Sequence, residues 1–246
     1  MTLILRALAV LAAGLYSTWL IAPVLDPELD PLRSFASEYA VAERSAATTV
    51  RLADGVAGIL LMVMAVISSA RIRTLWHRLP GPAGEMNPAA EPDSALSSSC
   101  RWALRLFCLG LGIAGLGTVV DAMNPMICAP SVSEECALAE AAGALPTQHS
   151  VHTVSSTAAG IGFAVAMISS AWLAGRGGPH RARPTHARRL LHWSAWGGAG
   201  LILLSGVDAL VPQVPTHGIT QRLSMLAIAG WLVLAAGVPV PQRRRT

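Results

Sequence analysis

Six stretches of this chain are long and apolar enough to cross a membrane as helices: approximately residues 3–25, 47–70, 102–123, 150–174, 190–211 and 218–238. Each reaches the roughly 20 residues needed to cross about 30 Å of hydrocarbon. Hydrocarbon offers no water to backbone N–H and C=O groups, so a single span must satisfy its own hydrogen bonds as a helix. The pattern predicts an all-α polytopic bundle of six transmembrane helices, a single transmembrane domain over residues 1–246. Composition agrees, since charged residues are 13% of the chain where a soluble domain carries about 25%. The first span has the early arginine of a signal peptide, Arg6. Its apolar run continues through "LYSTWLIAPVL", longer than a signal core, and is read as a retained helix.

The connecting segments supply a direction. Residues 26–46 carry Asp26, Glu28, Asp30, Glu38 and Glu43 against Arg33 and Arg44, and residues 124–149 carry three glutamates and no Lys or Arg. The intervening segments hold Arg71, Arg73, Arg78 and Arg101, then Arg176, Arg181, Arg183, Arg188 and Arg189, and the tail holds Arg243, Arg244 and Arg245. Basic and non-basic loops therefore alternate. The positive-inside rule predicts cytoplasmic N- and C-termini, with the first, third and fifth loops outside. The net charge of +4 is explained by these loops, and no nucleic-acid partner is expected. Heavy use of Ala, Gly and Arg with little Lys points to a GC-rich bacterial genome and hence to a bacterial cytoplasmic (inner) membrane. Residues 78–100, with "PGPAGEMNPAAEPDSALSSS", have the Pro, Ala and Ser content of a flexible cytoplasmic linker.

Ionisable residues fall at one end of the predicted helices. Asp54 lies about two turns inside the second, near Arg51; Asp121 ends the third; His149 and His152 open the fourth; Asp208 ends the fifth; His217 precedes the sixth, with Arg222 about a turn further in. A charge at the centre of a span costs about 2.5–3.5 kcal/mol on insertion scales, and less near the interface. Drawn from helices two to six, these groups are expected to line an outward-facing polar cavity, with Glu38, Asp208, His217 and Arg222 as its ligand-facing members. Arg222 paired with one of the aspartates is the structural alternative. Cys128 and Cys136 in the third loop are expected to form a disulfide on an oxidising side, the alternative being two free thiols. "GLGLGIAGLG" and "GGAG" supply small residues for close helix contact. Trp193 and Trp196 fit an interfacial aromatic belt.

His149 and His152, spaced i, i+3, share a helix face. With His217 and Asp121 they would make a three-histidine, one-carboxylate zinc site with a position left for water; the alternative is interfacial histidines bonded to loop carbonyls or carboxylates. Two function classes follow. One is a membrane protein whose cavity binds a lipid or small amphiphile. The other is a membrane-embedded enzyme with Asp121, His152 and Asp54 as catalytic groups. It would be either a metal-dependent lipid hydrolase or an isoprenoid cyclase started by an acid such as Asp54. Membrane lipids are the expected partners, with a lipid or isoprenoid as ligand.

"DPLRSFASEYAV", "GLGTVVDAMNP", "QHSVHTVSSTAAGIGF" and "HGITQRLSMLAIAGW" together resemble, in order along nearly the whole chain, the integral-membrane family called domain of unknown function 998. The resemblance implies six helices and an outward polar cluster of Ser37, Glu38, Asp121, His152, Gln221 and Arg222. His149 and the cysteine pair are not part of it, and it implies no reaction.

Overall fold

The computed structural model describes residues 2–76, 98–175, 185–211 and 217–235. Among them there is no strand, and six helices are long and apolar enough to cross a membrane. In chain order the helices are α1 (Thr2–Leu15), α2 (Ala22–Leu25), α3 (Ala47–Trp76), α4 (Ser98–Met123), α5 (Glu134–Ala141), α6 (Thr147–Gly175), α7 (Thr185–Asp208) and α8 (His217–Ala235).

The six long helices form a closed ring in chain order: α1 packs on α3, α3 on α4, α4 on α6, α6 on α7, α7 on α8, and α8 returns to α1. Neighbours run antiparallel. Gly58 of α3 meets Gly115 of α4, and Gly55 meets Ala122. Gly110 of α4 meets Gly162 of α6, and Gly117 meets Ser155 and Ala159. The ring interior is filled by Leu61, Leu111, Phe163, Met167, Leu191 and Trp231. Trp231 donates its Nε1–H to Ser170 Oγ at 2.9 Å, which satisfies its polar atom inside the apolar cluster.

The glycine-rich run of α4 works as expected, and on two faces. A Cβ on Gly115 would stand 2.6 Å from Gly58 O, and one on Gly162 would stand 2.4 Å from Ala114 N. Between helices in lipid there is no hydrophobic driving force, so attraction comes from such backbone-to-backbone approach. The "GGAG" run contributes less: only Gly198 is against a neighbour, Met167, whereas Gly197 and Gly200 face open space.

The structure differs from the sequence expectation at several element boundaries and in the third loop. The first span is not one helix to residue 25. α1 stops at Leu15, a 3-10 turn covers Thr18–Leu20, and α2 is a single turn with a proline at its start. Ser17 and Thr18 return their hydroxyls to Ala13 O and Leu15 O, and Pro23 has no N–H to extend the ladder. α4 begins at Ser98, inside the expected linker, whose residues 78–97 lie outside those described. A further short helix, α5, stands in the third loop.

Candidate functional site

The polar residues gather at the end of the ring that carries the loops 26–46 and 124–146, and the loops are folded there rather than loose. The first loop contains a 3-10 turn, Ala36–Ala40. Glu38 reaches back to accept the Phe35 N–H at 2.9 Å. Its other oxygen accepts the Ser131 N–H at 3.2 Å and the Ser131 hydroxyl at 2.5 Å. Ser34 and Ser131 are hydrogen-bonded through their hydroxyls at 2.7 Å. Glu38 is thus fully buried and ties the first loop to the third. Burial pushes its carboxyl above the ordinary carboxylate range, and the Ser131 and Phe35 hydrogen bonds pull the other way. Beside it Leu29, Tyr39, Val41, Val50 and Met126 form a small apolar core.

The third loop owes its shape to local signals. Ser133 caps α5 by accepting the Cys136 N–H at 3.1 Å, and Glu134 and Glu135 occupy the first turn, where the helix dipole favours them. Gly143, at φ +63°, ends the helix. The Gly143 N–H returns to Glu140 O and the Ala144 N–H to Ala139 O, the paired bonds of a Schellman cap. Cys128 and Cys136 form a disulfide that closes the α5 start onto the preceding strand of loop. Glu140 is thereby placed to accept from His149 Nε2 at 3.1 Å.

α8 is the anchor for the first loop. A Cβ on Gly218 would lie 2.7 Å from Leu32 O and Ser34 O, so only glycine admits the loop backbone there. Gln221 Oε1 accepts the Ala36 N–H at 2.6 Å, and the His217 ring stacks on Phe35 at 5.4 Å. Arg222 donates through Nη1 to Ser34 O at 2.6 Å and Gly218 O at 3.1 Å. Its guanidinium lies 5.7 Å from the Trp19 ring and 5.8 Å from the Tyr39 ring. The pairing of Arg222 with an aspartate, one of the two alternatives read from the sequence, is not what forms. Its charge is met by carbonyls and ring faces, because Gly218 lets the loop backbone come closer than any carboxylate. The Nε and Nη2 atoms are buried without a hydrogen-bond partner among the described residues.

Asp121 and His152 do meet, with Asp121 Oδ1 3.0 Å from His152 Nδ1. The approach is out of line for a hydrogen bond, and Nδ1 has no such partner among the described residues. The same oxygen accepts Ser155 Oγ at 3.1 Å and Ser156 Oγ at 2.5 Å. His152, Ser155 and Ser156, at i, i+3 and i+4, share one face of α6, a spacing that marks the serines in the sequence. Ser155 Oγ also lies 3.0 Å from the His152 carbonyl, so its hydroxyl is shared between that carbonyl and the carboxylate. Asp54, on α3, lies within electrostatic reach of Asp121 and of Tyr16. Arg51 donates to Ala122 O at 3.1 Å and so caps the end of α4.

The histidines expected to share a metal do not converge. His149 and His152 have ring centres 6.4 Å apart and face different carboxylates. His217 is held at Phe35, with Nδ1 3.8 Å from Asp208 Oδ2. Asp208 itself accepts the Thr220 hydroxyl at 2.6 Å. Among the described residues no three His, Cys, Asp or Glu side chains are grouped so as to hold a metal ion.

A cavity of about 640 Å³ opens at this end between the first and third loops. Asp26, Glu28, Glu43 and Arg44 stand on one side and Ile127, Val132 and Ser133 on the other. Arg44 bridges Glu28 at 2.8 Å and the buried Asp26 at 3.5 Å. Glu38, Asp208, His217 and Arg222 do not line it. The residues that do were not singled out in the sequence as a site, because they come from two segments, "EYAVAERS" and "ICAPSVS", that lie far apart in the chain.

The family model described as "Protein of unknown function (DUF998)" matches residues 95–238, more than half of the chain. The match includes Asp121, His152, Gln221 and Arg222, while "DPLRSFASEYAV" precedes it. No curated protein and no solved structure matches.

Proposed function

The chain belongs to the DUF998 family, and we propose that within it this protein is a multi-pass bacterial inner-membrane protein that binds a small amphiphile with a cationic head at its outer face. One observation carries the reading: the cavity between the two folded loops. Its volume of about 640 Å³ falls in the roughly 300–1,000 Å³ range of small-molecule sites. Three carboxylates, Asp26, Glu28 and Glu43, stand against one guanidinium, Arg44, an excess of two formal negative charges at the mouth. Val41, Ile127, Ala129 and Val132 supply the apolar wall. The walls are held by Glu38–Ser131 and by Cys128–Cys136, so the site is largely preformed and little ordering cost falls on binding. Arg71, Arg73, Arg101, Arg188 and Arg189 lie toward the opposite end, which supports an outward cavity and cytoplasmic termini.

Dodecylamine, dodecanol and dodecanoate, added to the full chain in maltoside detergent, test the reading by thermal shift. The amine raises the unfolding temperature more than the other two, and the Glu28→Gln, Glu43→Gln double variant loses that preference. Equal shifts for all three chains, or an unchanged preference in the double variant, defeat the proposal.

A further inference from the structure

A second cavity lies at the other end of the ring, on the α3–α4 seam, and it is independent of the reading above. α4 is covered on two faces: Gly115 packs on α3, and Gly110 and Gly117 pack on α6. α3 and α4 touch backbone to backbone at Gly58–Gly115, then part toward their basic ends, where the nearest atom to a Cβ on Gly112 is Ala65 Cβ at 3.9 Å. The wedge between them encloses about 560 Å³. Arg105, Cys108, Leu109, Gly112, Ile113 and Leu116 form its α4 wall. These positions fall at i, i+3, i+4, i+7, i+8 and i+11, a single helix stripe about 16 Å long. That length is about half the thickness of the hydrocarbon core, or one leaflet.

The stripe is apolar along its length and basic at one end. Arg73 of α3 and Arg105 of α4 both line it there, both exposed. The Arg105 guanidinium sits 5.2 Å over the Trp102 ring, which is itself exposed and is the residue type that marks headgroup level. Leu109 and Leu116 turn more than half their surface outward. In a membrane an acyl chain covers such a groove, and the pair of guanidiniums selects the head: planar forks match phosphate oxygens two at a time. We propose that this wedge is a binding site for one anionic phospholipid, with its phosphate on Arg73 and Arg105 and an acyl chain along Gly112 to Leu116.

The full chain, stripped of lipid in maltoside detergent, is titrated with dioleoylphosphatidylglycerol or dioleoylphosphatidylcholine and the adducts are counted by native mass spectrometry. Phosphatidylglycerol is retained roughly tenfold better, the scale of two basic side chains at a charged headgroup. Arg73→Gln with Arg105→Gln abolishes the preference, whereas Arg188→Gln with Arg189→Gln, basic residues outside the wedge, leaves it. Gly112→Phe fills the groove with both arginines intact and weakens phosphatidylglycerol several-fold. Glycerol 1-phosphate in large excess does not displace the lipid. Equal retention of the two lipids, displacement by the free phosphate, an unaffected Gly112→Phe variant, or a lipid-independent dimer that covers the groove overturns the proposal.

Discussion

The wall formed by α3, α4 and α6 and the cap formed by residues 26–46 and 124–146 are held together by different physics. The wall is built from glycines whose backbones touch: Gly58 on Gly115, Gly110 on Gly162, Gly117 on Ala159. The cap is built as a miniature water-soluble domain, with an apolar cluster of Leu29, Tyr39, Val41 and Met126, a helix capped at both ends, a disulfide and a buried carboxylate. The contrast follows from the solvent. Lipid tails are as apolar as leucine, so burying leucine between helices stabilises little and close van der Waals contact must do the work. The cap lies outside the spans, where apolar burial and polar pairing both count.

The contrast breaks most readily at the wall. Gly162→Leu places a side chain where even a Cβ would meet Ala114 N at 2.4 Å, and overpacking of this kind should cost about 3 kcal/mol. Thermal unfolding in detergent should drop sharply, whereas Gly200→Leu, at a position open to lipid, should leave it within about 0.5 kcal/mol. Comparable losses in both variants would mean the glycines are not the wall's contacts. At the cap, Cys128→Ser with Cys136→Ser removes a cross-link over a sequence separation of 8, for which loop-closure entropy predicts about 2.5 kcal/mol. Hydrogen exchange should rise in residues 124–146 and stay unchanged in the α4–α6 seam; exchange spreading into the seam would make wall and cap one cooperative unit.

A smaller effect is expected from Gly218→Val, which pushes on Leu32 O and Ser34 O and should cost about 1–2 kcal/mol in docking the first loop. Limited trypsin digestion at the exposed Arg33 should accelerate while the helices survive; unchanged cleavage would show that α8 does not hold the loop. Smallest is a pH effect at Glu38. Its carboxyl is raised chiefly by burial, so the folded cap holds the proton more tightly than the unfolded chain. That stabilisation is whole below the ordinary carboxylate pKa and fades as pH rises through Glu38's own raised value. Exchange protection of the cap should therefore fall as pH rises above the ordinary carboxylate range in the native chain and stay flat in Glu38→Gln. The same slope in both would assign the titration to another group.

Much of the wall was legible in the sequence, because length, hydropathy and glycine spacing are local properties. The cap was less so. Ser131 gave no sign of being the partner of Glu38, 93 residues away, nor "SFA" of being the acceptor for Arg222. Charge led to the expectation of an aspartate beside Arg222, yet the space left by Gly218 decided for a carbonyl. His149 and His152 share a face, as their spacing implies. Loop closure then gave one to Glu140 and left the other to Asp121.

By itself the sequence determined six membrane-length helices, the glycine-rich run through which one of them packs on its two neighbours, and the collection of polar groups at one end. Each depends on the periodicity of a single segment and on the absence of water in the bilayer core. Only the tertiary structure decided the ring order, the partner of every buried polar group, and the two cavities. Those follow from which segments distant in the chain approach closely enough to exclude all other partners, a property that no single segment carries.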